Sequence, residues 1–356
     1  MKKCQLSMLA VAVLVGVAGC SSTSPEPAPK KEFNYDYSVY QLDTSKAPGQ
    51  NFDMSNWKIT LPELATEGSR NGKALEINKH DLSNQQTPYQ HKDWFYTDPT
   101  NGGLVFVAPN EAPTTPNSKN TRSELRAMLA EKYNEPANNF VVASHPDAAE
   151  YGAIGGQLKA TLSVDQVSVS GQYNRNNAFA VVIGQIHGSK NEPLKIVYRK
   201  LPEHEFGSLS WNYELNPIPE QQDARDSNGK KLRKDIRHDV FGKHNLRQGS
   251  AEPTDGIRLG EIFAYEVNIK GDNMQLIFTK SPGTADEKVK TFDVDLSKGN
   301  YKGHEVDQGY GSDWMYFKAG AYNQCNTKAS SSNCQWRGME AGDYTQATFF
   351  QLELNQ

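Results

Sequence analysis

Apolar and polar residues alternate with a period of two along most of this chain. Over residues 263–270, Phe263, Tyr265, Val267 and Ile269 point one way while Ala264, Glu266, Asn268 and Lys270 point the other. That pattern is the mark of a strand buried on one face. Gly271-Asp272 then offers a hairpin turn into a second strand over 273–279. The same rhythm predicts strands over 103–108, 123–130, 155–162, 178–186, 194–200, 314–324 and 347–354. A short helix is expected only near 130–134. Many short strands with turn signals between them imply an all-β protein, a sandwich or jelly roll.

The rhythm breaks in two places. At the N-terminus, Lys2 and Lys3 precede an apolar run over 6–18 and then Gly19-Cys20. The run is too short to span a bilayer, which takes about twenty residues, and fits a signal-peptide core over 1–19. Val17-Ala18-Gly19-Cys20 resembles the lipobox of bacterial lipoproteins, in which the cysteine is diacylated and becomes the mature N-terminus. Ser21 after it resembles lipoproteins released to the outer membrane of Gram-negative bacteria. The expected location is therefore the outer membrane, or the periplasm or exterior, with Cys20 as the only membrane anchor. Residues 20–32, rich in Ser, Pro and Ala, cannot bury a core and read as a tether. A single domain is expected over 33–356. The second break is 201–252, dense in charge but carrying Trp211, Tyr213, Val240 and Phe241, and read as an ordered insertion over a cleft rim.

Composition narrows the function. Sixteen tyrosines, five tryptophans and 28 glycines suit a β-rich protein better than a helical one. The net charge is −4, or −6 without Lys2 and Lys3, which argues against a nucleic-acid partner. A local basic cleft remains compatible with an anionic substrate. With Cys4 and Cys20 assigned to targeting, Cys325 and Cys334 are expected to form a local disulfide in an oxidising compartment. No cysteine and histidine spacing suggests a metal site.

Three segments carry candidate chemistry. In Arg122-Ser123-Glu124-Leu125-Arg126, alternation puts Arg122, Glu124 and Arg126 on one face, where guanidiniums steadied by a carboxylate can bind another carboxylate. In Ile183-Gly184-Gln185-Ile186-His187, Gln185 and His187 share a face with Ile183, and Ile186 points to the core. Glutamine can donate to a carboxylate and histidine can accept a proton. In the segment 316–324, Tyr316, Lys318, Gly320, Tyr322 and Gln324 share a face, with Gly320 leaving room for a sugar ring. Each segment alone also suits an ordinary strand: a surface salt-bridge ladder, a structural histidine, an aromatic strand face.

Together, in this order, the three segments resemble the signature motifs of the family 7 polysaccharide lyases, the alginate lyases. The resemblance spans about 52–354. It implies a concanavalin-like β-jelly roll whose concave sheet carries the cleft, an anionic polysaccharide substrate, alginate, no cofactor or metal, and a monomer. It also implies roles. Arg122 and Gln185 hold the uronate carboxylate, His187 removes the C5 proton of guluronate, and Tyr322 protonates the leaving O4. On mannuronate Tyr322 would serve as both base and acid. Glu124, Arg126, Tyr316, Lys318 and Gln324 are expected to bind neighbouring sugars. Ile186 in the second motif is associated with guluronate-containing blocks. A lyase for another polyuronate such as glucuronan, a lectin-like binder and a glycoside hydrolase are the alternatives. The hydrolase would need two carboxylates flanking the bond, and the motifs offer only Glu124.

Overall fold

The computed structural model describes residues 33–131, 136–175, 177–218, 225, 235–299, 307–328 and 332–356. Residues 1–32, with the expected signal, Cys20 and tether, lie outside them, as does most of the helix expected near 130–134. Two antiparallel sheets face one another. One, nine-stranded, runs in the order Asp235–Phe241, Phe206–Glu214, Leu194–Arg199, Ala180–His187, Tyr316–Asn323, Arg122–Ala127, Trp57–Leu64 and Ala74–Ile77, with Ile257–Arg258 pairing with Phe206–Glu214. The other, seven-stranded, runs Lys288–Asp295, Asn273–Lys280, Phe263–Lys270, Gly156–Gln166, Tyr344–Asn355, Leu104–Pro109 and Phe95–Thr97. The fold is the jelly-roll sandwich that the alternation implied.

The core forms between the sheets for the reason visible in single strands. Phe263, Tyr265, Val267 and Ile269 are buried, and Gly271 takes the φ of 61° that starts the two-residue turn into Asn273–Lys280. Leu125, Ile186, Phe317, Ala319 and Ala321 supply the first sheet's share of the core. The opposite face of that sheet is left for polar side chains.

Three expectations are corrected. The charged stretch 201–252 is not simply an insertion, because Phe206–Glu214 and Asp235–Phe241 are paired strands of the first sheet. Trp211, Tyr213, Val240 and Phe241 are core residues. Ile183 does not share a face with Gln185: it is fully buried in the core. Opposite it the pairing steps from Ile196 with Gly184 to Val197 with Val182, so Ile183 is the extra residue of a β-bulge. Gly320 does not open space for a sugar. At φ 135° a Cβ there would meet the Ser123 carbonyl oxygen at 2.6 Å and the Glu124 Cα at 3.0 Å, so the glycine serves a close approach of two strands.

Candidate active site

Strand order brings the three motif segments side by side. Tyr316–Asn323 lies between Ala180–His187 and Arg122–Ala127. Tyr316 is paired with His187, Lys318 with both Gln185 and Arg126, Gly320 with Glu124, and Tyr322 with Arg122. Of these, Arg122, Arg126, Gln185, His187, Tyr316, Lys318 and Tyr322 line a cleft of about 380 Å³, within the range of small-ligand sites.

Beneath the cleft floor sits Glu124, 2% exposed. Its carboxylate accepts from Arg122 Nη1 at 2.8 Å and Gln185 Nε2 at 2.5 Å, and it is ion-paired with Lys318. Burial alone would raise the Glu124 pKa, but Lys318 and Arg122 outweigh it and hold it below the ordinary carboxylate range. Burial pushes Lys318 down to about 8 against the pull of Glu124. Two cations thus share one anion, and the surplus is one positive charge. The Arg122 Nε is buried without a partner among the described residues, and the Gln185 amide carries a second N–H. Glu124 does not line the cleft, so it is a scaffold for the residues that do rather than a sugar contact.

His187 stands at one side of this floor, stacked on Tyr316 with ring centroids 5.1 Å apart. Its Nδ1 lies 2.5 Å from the Gly188 carbonyl oxygen, which can only accept, so Nδ1 carries the hydrogen. Nε2 is left with its lone pair, 3.3 Å from Glu192 Oε1. Burial, then Lys318, lowers the His187 pKa to about 4, so the ring is neutral at neutral pH and able to accept a proton. A bound carboxylate would offset the Lys318 and Arg122 charges and raise that proton affinity as the complex forms.

Tyr322 is held from two directions. The Arg122 Cζ lies 3.9 Å from its ring centroid, and its hydroxyl is 3.2 Å from Ser118 Oγ. Ser118 Oγ also donates to the Asn120 carbonyl at 3.0 Å and accepts from the Asn120 N–H and from Arg122 Nη2, each at 3.1 Å, so either hydroxyl can be the donor of that pair. The Tyr322 hydroxyl is thereby held at the cleft wall.

The remaining expected residues separate. Arg126 does line the cleft, but its guanidinium donates to the Ala127 carbonyl at 2.8 Å and to Asn139 Oδ1 at 3.0 Å, with its Cζ 4.0 Å from the Tyr316 ring centroid. It braces Tyr316 instead of pairing with Glu124. Gln324 is not in this cleft; it lines a second cavity with Asn212, Arg199 and Arg237. Cys325 and Cys334 are bonded to each other and pack with Ala178, Phe179, Leu201 and Leu246 just beyond the Tyr322 strand.

Sequence reasoning missed several cleft residues. Lys58 and Thr60 alternate with the buried Trp57, Ile59 and Leu61, a pattern that was there to be read. Arg70 and Glu76 join them at that end, with Glu76 ion-paired to Lys58 at 2.9 Å and to Arg70 at 3.0 Å. Ser118 and Glu192 are brought in by loops and carry no local signal. Glu192 is itself held by Lys195 at 3.0 Å.

Comparison with known proteins agrees with this geometry. A protein-family model described as Alginate lyase matches residues 52–356. An alginate lyase of Klebsiella pneumoniae is 34% identical over 330 residues, covering 89% of this chain and 94% of its own. The crystal structure of the alginate lyase from Klebsiella pneumoniae superposes with a TM-score of 0.66 at 32% identity, over 87% of this chain and 98% of that one. The exolytic family 7 alginate lyase AlyA5 of Zobellia galactanivorans gives 0.63 at 29% identity, over 85% and 95%.

Proposed function

This chain belongs to the alginate lyase family and is a polysaccharide lyase, and we propose that it cuts guluronate-containing blocks of alginate by β-elimination with His187 as base and Tyr322 as acid. The observation that carries the chemistry is the floor built on Glu124, where two cations oppose one buried anion and the Arg122 Nε has no partner among the described residues.

Elimination from a uronate requires three things. The C5 hydrogen lies α to the carboxylate, and its removal places charge on the carboxylate oxygens. Arg122, Lys318 and the spare Gln185 N–H are preorganised to receive that charge, and such electrostatics act most strongly in the transition state. His187 Nε2 takes the C5 proton of guluronate, whose H5 and O4 lie on opposite ring faces. The C5–H electrons form the C4–C5 double bond as the C4–O4 bond breaks, and Tyr322 delivers its proton to O4. On mannuronate H5 and O4 lie on the same face, where Tyr322, entering as the phenolate, can take the C5 proton and return it to O4.

His187→Ala separates the two routes. Its initial rate of unsaturated-product formation, read at 235 nm, should fall at least about a hundredfold on polyguluronate, the usual minimum for a general base, and much less on polymannuronate. Equal losses on both would overturn the assignment of His187 as the guluronate base. The low His187 pKa also predicts that the wild-type guluronate rate persists in acid below the ordinary histidine range.

Delivery to the outer membrane by a diacylated Cys20 is part of the same proposal, supported by the Val17-Ala18-Gly19-Cys20 segment and by the tether that follows it. Each buried CH₂ of an acyl chain adds about 0.8 kcal/mol of membrane affinity, so two or more chains suffice. Cys20→Ser should move the protein from the membrane fraction to the soluble one. Unchanged fractionation with no acyl mass on the mature N-terminus would refute the anchor.

A further inference from the structure

The cavity that takes Gln324 has a chemistry of its own. It opens on the same sheet face, and a straight row of paired residues connects it with the active site. Lys318 is paired with Gln185, Gln185 with Lys195, Lys195 with Asn212, and Asn212 with Arg237. Strands lie about 4.8 Å apart, so Asn212 is roughly 10 Å across the sheet from Gln185. A polymer laid across the strands through the cleft would run onto this row.

Two buried polar groups there have no partner among the described residues. Arg199, 3% exposed, donates from Nε to the Ala178 carbonyl at 2.9 Å and from Nη1 to the Leu246 carbonyl at 2.7 Å, which fixes the guanidinium; its Nη2 is left over. Asn212, 4% exposed, has an unpartnered Oδ1. Arg237 lines the same space, its Nη2 donating to Asn177 Oδ1 at 3.2 Å, and Asp235 is the acid beside it. Burial and then the nearby Arg247 and Arg237 charges push the Arg199 pKa down to about 10, the response of a cation short of anions.

An unpaired buried donor and an unpaired buried acceptor both cost free energy until matched. A sulfate or a phosphate-ester dianion offers acceptors alone. A uronate offers a carboxylate to Arg199 and a hydroxyl hydrogen to Asn212 from one ring. We infer that this cavity is a distal subsite that holds one uronate residue of the same alginate chain, through Arg199, Arg237 and Asn212. The inference rests on the alginate reading above and adds to it a place where chain length is sensed.

The test uses alginate oligomers from trimer to octamer. In the wild type, kcat/KM should climb at the length that first spans both sites. Asn212→Asp keeps the shape and sets a carboxylate against the ligand's own; it should remove at least about tenfold of that climb. Arg237→Gln, at a less buried position, should act in the same direction. A length profile parallel to the wild type, or one lowered by the same factor at every length, would overturn the subsite. Calorimetric titration of the octamer into the same variants made in a Tyr322→Phe background reads binding without turnover. Octamer affinity unchanged by Asn212→Asp would overturn it as well. Absence of product from every oligomer would instead sink the lyase reading, leaving the calorimetry to decide the subsite.

Discussion

Tyr322→Phe is expected to lower turnover at least about a hundredfold on every block type, the usual contribution of a general acid or more. The substitution is surgical. Phenylalanine keeps the ring face that Arg122 covers at 3.9 Å, so the cation–π contact and the guanidinium position survive. Ser118 loses the phenol but keeps Asn120 and Arg122, its other partners. What disappears is the hydroxyl held at the cleft wall, and with it the proton source for O4. Without it the departing O4 must leave as an alkoxide or wait for water, and this is so for both uronates because both eliminate the same oxygen. Initial rates at 235 nm on polyguluronate and polymannuronate, with Tm measured alongside, check it. A folded variant near the wild-type rate would move suspicion to Tyr316 on the same strand.

Glu124→Ala should damage both stability and activity, though Glu124 touches no substrate. Breaking a buried ion pair costs about 3–5 kcal/mol because the surviving charge is stranded. Here two charges are stranded, Arg122 and Lys318, side by side. Lys318, already down at about 8 with Glu124 present, would fall further and be largely neutral at neutral pH. The cleft would lose the geometry of Arg122 and the ammonium of Lys318 while its net charge stayed at one positive, so kcat should fall with KM rising because placed donors are lost. Glu124→Gln, which keeps the shape and acceptor oxygen but not the charge, should fold better and still turn over poorly. A pH series gives an independent check. The folded Glu124 pKa is lowered, so its stabilisation is present above the unfolded carboxylate pKa and is lost as pH falls through the folded value. The Tm gap between wild type and Glu124→Ala should therefore narrow only in strong acid. A gap that is absent at neutral pH would contradict the scaffold role.

The contrast between Glu124 and its neighbours shows where local reading ended. Alternation on a strand is a two-residue property, and it placed Arg122, Glu124 and Arg126 on one face without any knowledge of the fold. Their common face was correct and their common role was not. Arg126 turns to its own strand end and to Asn139, and Lys318, nearly two hundred residues away in sequence, takes the place beside Glu124. Which cation meets the carboxylate depends on which strand lies next to Arg122–Ala127, and strand order is a long-range choice.

The same distinction separates the parts of the fold. Residues 263–270 were legible because their apolar side is unbroken and their turn has a glycine where the backbone needs one. The strands Phe206–Glu214 and Asp235–Phe241 were hidden by the charged sequence around them, since a strand whose outer face lines a polar cleft has no reason to look greasy on that face. Ile183 was misplaced because a bulge adds one residue, and one residue reverses the facing of everything before it. By itself, then, the sequence determined the all-β class and the three motif strands, which follow from short-range alternation, while the resemblance of those motifs to the alginate lyases put forward Tyr322 and His187 as the proton-transfer pair. Only the tertiary structure decided that Glu124 lies under the floor, that Ser118 and Glu192 border the cleft, and that Gln324 belongs to a second cavity. Those outcomes depend on strand neighbours, bulges and loop returns, which bring together residues that no local period relates.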